Sequence, residues 1–273
     1  MQYYIDGEFV CSSKSAIPFN DAGFLYGDGL FETMRFENKK IFLHDNHLDR
    51  LLSGLKVIRL DIEDSKDSIL KILNRVIHIN NLESGIIRLM VTRGSTDINS
   101  SKFNIPSKYI SIKPFYSIPK TPVEVVYLDE KKYPIIRFTP AIKSMNYIGN
   151  MLAKRDCDKM GAYEPVFYNN NKIITECAIR NIFFIKNTSL YTPSLDLGIL
   201  SGVMRDTILK IAKSLNLKIK ETHIKLSNIQ EMDEAFISST GIGLLECYWN
   251  GWNSDYYYTK RIKKELFNRI KNS

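Results

Sequence analysis

Residues 117–122, SIPKTP, cut the chain into two halves that each mix strand-period and helix-period segments. Proline has no amide hydrogen to continue a ladder and does not fit a helix interior, so two prolines between strand-like runs mark a linker. The expected organisation is a smaller N-terminal α/β domain over 1–116, the linker 117–122, and a larger C-terminal α/β domain over 123–273.

In the first half, QYYID-GE-FVC reads as a hairpin and LFETMRF-ENKK-IFL as a second one, on either side of the Gly-rich stretch NDAGFLYGDG. Asp45 is the expected N-cap of a helix whose apolar residues Leu48, Leu51, Leu52, Leu55 and Ile58 recur at helical spacing. Ile69, Ile72, Leu73 and Val76 repeat that pattern, and GIIRLMVTRG and KYISIKPF read as further strands. In the second half VEVVYL, EPVFY, KIITE, NIFFI and EAFISS read as strands. KSMNYIGNMLAKRDCDKMG and SGVMRDTILKIAKSLN read as helices, the first with Ile148, Met151 and Leu152 facing inward. The run Tyr256–Tyr258 reads as surface or interface packing.

Composition excludes several classes. With 44% hydrophobic residues over 273 positions the chain can build real cores and is not disordered. The net charge of +8 is spread along the sequence rather than gathered in a tail. No uninterrupted apolar run approaches the ~20 residues a bilayer demands, so no membrane association is expected. Four widely spaced cysteines and an N-terminus without a basic lead or long apolar run fit a cytoplasmic location.

Most chemical motifs are missing. His44 and His47 form an H-x-x-H pair, but no third ligand is near, so no metal site is expected. The pieces Gly27-Asp28-Gly29 and Gly241-Ile242-Gly243 lack the rest of a dinucleotide fingerprint, and there is no P-loop or nucleophile elbow. A basic nucleic-acid-binding protein, with SGVMRDTILKIAKSLN as recognition helix, is the rival from another class; it predicts salt-sensitive binding and a colourless preparation. What remains is a lysine, Lys143, between the extended Pro140-Ala141-Ile142 and a helix; alone it means little, because most lysines are solvated.

Six segments around it carry a resemblance: GFLYGDGLFETMR (23–35), HLDRL (47–51), IKSMNYIGNMLAKRD (142–156), TECAIRNIFF (175–184), LYTPSLDLGILSGVMR (190–205) and SSTG (238–241). In these the chain resembles the class IV aminotransferases, the fold-type IV pyridoxal-phosphate family of branched-chain aminotransferases, D-amino-acid aminotransferases and 4-amino-4-deoxychorismate lyases. The resemblance implies a mixed α/β (α+β), two-domain fold of the D-amino-acid-aminotransferase type, a homodimer, and pyridoxal 5'-phosphate at the domain interface.

By the same resemblance Lys143 forms the internal aldimine with the cofactor and shuttles the proton. Glu176 pairs with the pyridine nitrogen, and Arg50 binds the phosphate although it lies off the apolar stripe of its helix. Val203 and Met204 bind the phosphate at a helix start, where unpaired amides and the helix dipole favour an anion. Tyr147 touches the ring oxygen and Thr240 adds a hydroxyl contact. Tyr26, Phe31, Arg35 and Gly241 are implied on the substrate side.

The reaction branch depends on substrate contacts. D-amino-acid aminotransferases trap the carboxylate with an arginine and a histidine after an RG motif, where RGSTDINSS has Ile98 and Ser100. The RPL-type arginine motif of branched-chain enzymes is replaced by IIRLMVTRG. The leading expectation is transfer of an amino group between an amino acid and a 2-oxo acid. The alternative is a 4-amino-4-deoxychorismate lyase, which acts on aminodeoxychorismate and releases pyruvate and 4-aminobenzoate for folate synthesis.

Overall fold

The alternation in LFETMRF becomes a strand with one apolar face. In the computed structural model, which describes residues 1–95 and 105–271, the first part of the chain runs β1 (Gln2–Ile5), β2 (Glu8–Cys11), α1 (Ala22–Tyr26), β3 (Gly29–Glu37), β4 (Lys40–Ile41), α2 (His44–Val57), α3 (Lys66–Asn80), β5 (Gly85–Thr92) and β6 (Ser107–Lys113). The strands form a six-stranded sheet in the order β2-β1-β6-β5-β3-β4, all the recorded pairings being antiparallel.

Successive strand residues point to opposite faces, so Leu30, Met34 and Phe36 share one face of β3 and are buried in the same core as Leu48, Leu51 and Leu55 of α2 and Ile69, Leu73, Val76 and Ile77 of α3. Each such side chain contributes roughly 1.5–3 kcal/mol relative to an exposed one. The start of α2 corrects the sequence reading. Asp45 is not the N-cap; the helix opens at His44 after Leu43, which adopts a left-handed backbone and supplies no side-chain cap, and Asp45 sits in the first turn. Ser65 caps α3 as a serine should, accepting from the Ser68 amide at 3.1 Å.

The second part runs β7 (Val123–Asp129), a 3-10 turn Glu130–Lys132, α4 (Ile148–Lys159), β8 (Glu164–Tyr168), β9 (Ile173–Cys177), β10 (Asn181–Lys186), β11 (Ser189–Pro193), α5 (Val203–Ser214), β12 (Lys218–Thr222), β13 (Ile224–Lys225), β14 (Glu234–Ser239), β15 (Gly243–Tyr248) and α6 (Tyr257–Lys271). Nine strands make one sheet in the order β12-β11-β10-β14-β15-β7-β8-β9-β13. Helix α6 had no counterpart in the sequence reading. Its amides at Tyr258 and Thr259 donate to Glu234, while Tyr256 just before it is buried with its hydroxyl on the Cys247 carbonyl, so that tyrosine is core rather than surface.

Helix α4 departs from expectation twice. It begins at Ile148, not near Lys143, and it buries Gly149, Ala153 and Cys157. Ile148, Met151 and Leu152, expected inward, are exposed within the chain. The reason is close approach: a Cβ on Gly149 would lie 2.5 Å from the Pro134 carbonyl oxygen, so the small-residue face can seat where the bulky one cannot.

Contacts divide the chain into two compact units, Met1–Tyr116 with Ile142–Asn146, and Ser117–Ala141 with the described residues from Tyr147 onward. Residues 114–122 between β6 and β7 carry no helix or strand. The lysine-bearing segment 142–146, expected in the C-terminal domain, makes its contacts with the first unit. No helix among the described residues is long and apolar enough to cross a membrane.

Candidate active site

Lys143 is held by backbone pairing rather than by a helix. Its carbonyl accepts from the Phe31 amide at 3.0 Å, the Met145 amide donates to the Gly29 carbonyl at 3.0 Å, and Ser144 bridges Leu30 antiparallel. Residues 143–145 thus extend the sheet along the first half of β3, on the side away from β5. The turn before β3 is locked to them: Asn146 Nδ2 donates to the Gly27 carbonyl at 3.1 Å, and Gly27, at φ +68°, is a position that a side chain would strain.

The lysine Nζ stands 4.5 Å from the centroid of the Phe31 ring, which also carries the Arg88 guanidinium at 4.1 Å. An aromatic face attracts cations, so the ring orients both groups. Phe31, expected to face substrate, is therefore beside the expected nucleophile.

Behind β3 lies a group that the sequence reading missed. Glu32 points to the same face as Leu30 and Met34 and is fully buried. It accepts from Arg50 Nε at 2.7 Å and Nη2 at 2.7 Å, and pairs with His47 Nδ1 at 2.7 Å. Burial alone would push this carboxyl up, but the Arg50 charge and the hydrogen bonds from His47 and Arg50 hold it at about 2. Burial lowers His47, against the pull of Glu32. An acidic residue inside the apolar phase of a strand was the available signal, since a buried charge requires partners. His44 and His47 do not converge: His44 is near Asp45 at 3.6 Å, while His47 belongs to Glu32.

In the second unit, Glu176 lies near the end of β9 with its side chain one-quarter exposed. Its Oε1 accepts from Arg137 Nη1 at 2.7 Å, a partner for which the sequence offered no periodic signal. Helix α5 starts after Gly202, which supplies no side-chain cap, so the amides around Val203 and Met204 keep the donor character of a bare helix start. Gly202 is needed there for space: an added Cβ would stand 2.5 Å from Asn181 Oδ1. The same asparagine donates to the Ser238 carbonyl and hydroxyl at 3.1 Å, tying the α5 start to the end of β14, where Thr240 and Gly241 form the turn into β15. Tyr147 is half-buried at the residue preceding α4.

Arg35 and Tyr26, also expected on the substrate side, lie in the first unit. Arg35 Nη2 donates to Glu37 at 2.6 Å, and its guanidinium covers the Phe115 ring at 4.6 Å. Tyr26 ends α1 and is half exposed. Ile98 and Ser100 lie outside the described residues.

The profile of the family described as amino-transferase class IV matches residues 29–247. A Methanocaldococcus jannaschii protein provisionally named a branched-chain-amino-acid aminotransferase is 30% identical over 256 residues, 91% of this chain and 87% of its own length. A D-alanine aminotransferase of Listeria monocytogenes is 31% identical over 248 residues, 89% of this chain and 85% of that protein. Among solved structures, the branched-chain aminotransferase of Thermoproteus uzoniensis with norvaline superposes with a TM-score of 0.90 at 22% identity, covering 99% and 94% of the two chains. A Legionella pneumophila protein provisionally named a 4-amino-4-deoxychorismate lyase gives 0.84 at 24% identity, with 94% and 97% covered. A hypothetical aminotransferase of Mycobacterium tuberculosis in its PLP-bound form gives 0.85 at 17%, with 99% of each chain covered.

Proposed function

The chain belongs to the class IV aminotransferase family, and from that premise we propose that it transfers an amino group between an amino acid and a 2-oxo acid with pyridoxal 5'-phosphate as cofactor. The observation that carries this reading is the identity of 30% and 31% along about nine-tenths of the chain to two proteins named as aminotransferases. The lyase relative is alike at the level of fold, so lyase activity is an outcome of the test rather than the leading reading.

The residues fit the functional ends of such a cofactor. An amine on Phe31 at 4.5 Å suits an aldehyde, a carboxylate at Glu176 suits a protonated ring nitrogen, and an α5 start without a side-chain cap suits a phosphate. When bound, the cofactor supplies an aldehyde carbon to take up the amino group and a ring that withdraws the electron pair left at the substrate carbon.

The chain's own groups do the rest. Lys143 offers the amine that joins the cofactor and afterwards carries a proton to and from the substrate carbon, a contribution of about 10²–10⁴ in rate. Glu176 holds the ring-nitrogen proton. The Val203 and Met204 amides and the Thr240 hydroxyl bind the phosphate, with Arg50 as a second anchor whose guanidinium plane Glu32 fixes. Tyr147 steadies the ring oxygen. Phe31 orients the Lys143 amine, and Gly241 lies on the substrate side. A homodimer belongs to the same reading and is checked by sedimentation.

The test is a substrate panel. Purified protein with pyridoxal 5'-phosphate is given L- and D-amino acids with 2-oxoglutarate, and separately aminodeoxychorismate. Glutamate formation supports the proposal; 4-aminobenzoate formation without glutamate replaces it by the lyase reading. A colourless protein that binds no cofactor ends both.

A further inference from the structure

The Arg137 guanidinium bridges two carboxylates. Nη1 donates to Glu176 Oε1 at 2.7 Å and Nη2 donates to Glu130 Oε2 at 2.7 Å, with Thr175 Oγ1 also receiving Nη2 at 3.1 Å. Thr175 is fully buried and its hydroxyl donates a hydrogen bond to Glu130 Oε2 at 3.2 Å, so the three side chains and the threonine close into one network. Both ion pairs are largely shielded: Arg137 and Glu130 expose one-fifth of their side chains and Glu176 one-quarter.

The charge balance of this network bears on what Glu176 can do. An arginine paired with Glu176 alone would make a neutral couple, and a neutral couple is a weak partner for a cation. Glu130 changes that balance, because one positive and two negative groups leave a net charge of −1. An arginine fork also fixes the plane of a carboxylate, which a flexible point charge does not.

We propose that Arg137 is a positioning residue that holds the Glu176 carboxylate in place, and that Glu130 offsets the arginine's charge so that the cluster as a whole presents a net negative charge to the ligand of Glu176. This rests on the reading of Glu176 as the partner of the cofactor ring nitrogen. Arg137 acts through Glu176 and needs no contact with the ligand.

The experiment compares wild type, Arg137→Gln, Arg137→Lys, Glu130→Gln and Glu176→Gln, each loaded with pyridoxal 5'-phosphate labelled with ¹⁵N at the ring. The ring-nitrogen resonance, the cofactor dissociation constant, kcat and apoprotein thermal unfolding are read on each. Expected is a ring-nitrogen resonance displaced toward that of Glu176→Gln in Arg137→Gln and Glu130→Gln, with kcat down about tenfold to a hundredfold and partial recovery in Arg137→Lys. In the Glu176→Gln background, Arg137→Gln is expected to add no further loss of kcat, since residues acting as one unit are not additive. Unmoved resonance and kcat in all three Arg137 and Glu130 variants, while Glu176→Gln shifts both, overturns the inference alone. A wild type that binds no cofactor, or an unresponsive Glu176→Gln, overturns the underlying reading as well. If Arg137→Gln does not fold, Arg137→Lys and Glu130→Gln carry the comparison.

Discussion

Arg50 grips Glu32 through two hydrogen bonds of 2.7 Å, Nε to Oε1 and Nη2 to Oε2, in the interior of the first unit. Removing one partner from such a pair leaves the other buried and uncompensated. Glu32→Ala is therefore expected to lose about 3–5 kcal/mol of stability, and urea unfolding of the apoprotein reads this directly. A loss below about 1 kcal/mol would show that the pair contributes nothing specific.

The same pair sets an acid limit. The carboxyl is held at about 2 in the fold against an ordinary 4.5. Because the folded value is the lower one, the stabilisation is complete above about pH 4.5 and is lost as pH falls toward 2. Its full size is about 3 kcal/mol. Denaturation of wild type and Glu32→Gln at pH 7, 4 and 3 should show the gap closing on the acid side only; a constant gap contradicts the assignment.

Lys143→Ala is expected to abolish turnover and borohydride-reducible attachment of the cofactor to the polypeptide, read by mass spectrometry. The backbone pairing of residue 143 with Phe31 does not involve its side chain, so thermal unfolding of the apoprotein should change little. Retained attachment elsewhere on the chain would displace Lys143 from its proposed role.

Gly202→Ala tests the proposed phosphate seat. The added methyl would meet Asn181 Oδ1 at 2.5 Å, and relief must come from moving Asn181 or the α5 start. Overpacking of this kind costs about 1–3 kcal/mol. Affinity for pyridoxal 5'-phosphate should fall more than affinity for unphosphorylated pyridoxal, and an equal fall in both argues that the phosphate lies elsewhere.

Thiol reactivity should be uneven. The hydrogen bond from Ser13 lowers exposed Cys11, whereas burial pushes Cys157 up to about 12 and raises Cys177 and Cys247 well above the usual thiol range. One thiol is expected to react quickly with an aromatic disulfide reagent in the native protein, and the other three after unfolding. Loss of the fast phase in Cys11→Ser identifies it.

The sequence by itself determined most of the local elements, though not α6 or the start of α4, and the chemical vocabulary. Period-two runs such as LFETMRF fixed which residues share a strand face, helical spacing fixed the buried stripes of α2 and α3, and the six motif segments identified Lys143 and Glu176 as the residues to watch. These are properties of neighbours along the chain. Tertiary structure decided the pairings between distant positions: Lys143 against the start of β3, Arg50 on Glu32 across 18 residues, and Arg137 on Glu176 across 39. It also chose the small-residue face of α4 over the apolar one, since which face can approach a neighbour depends on what that neighbour presents. Periodicity says that a side chain is inside or outside; only the packed strands and helices say whom it meets there.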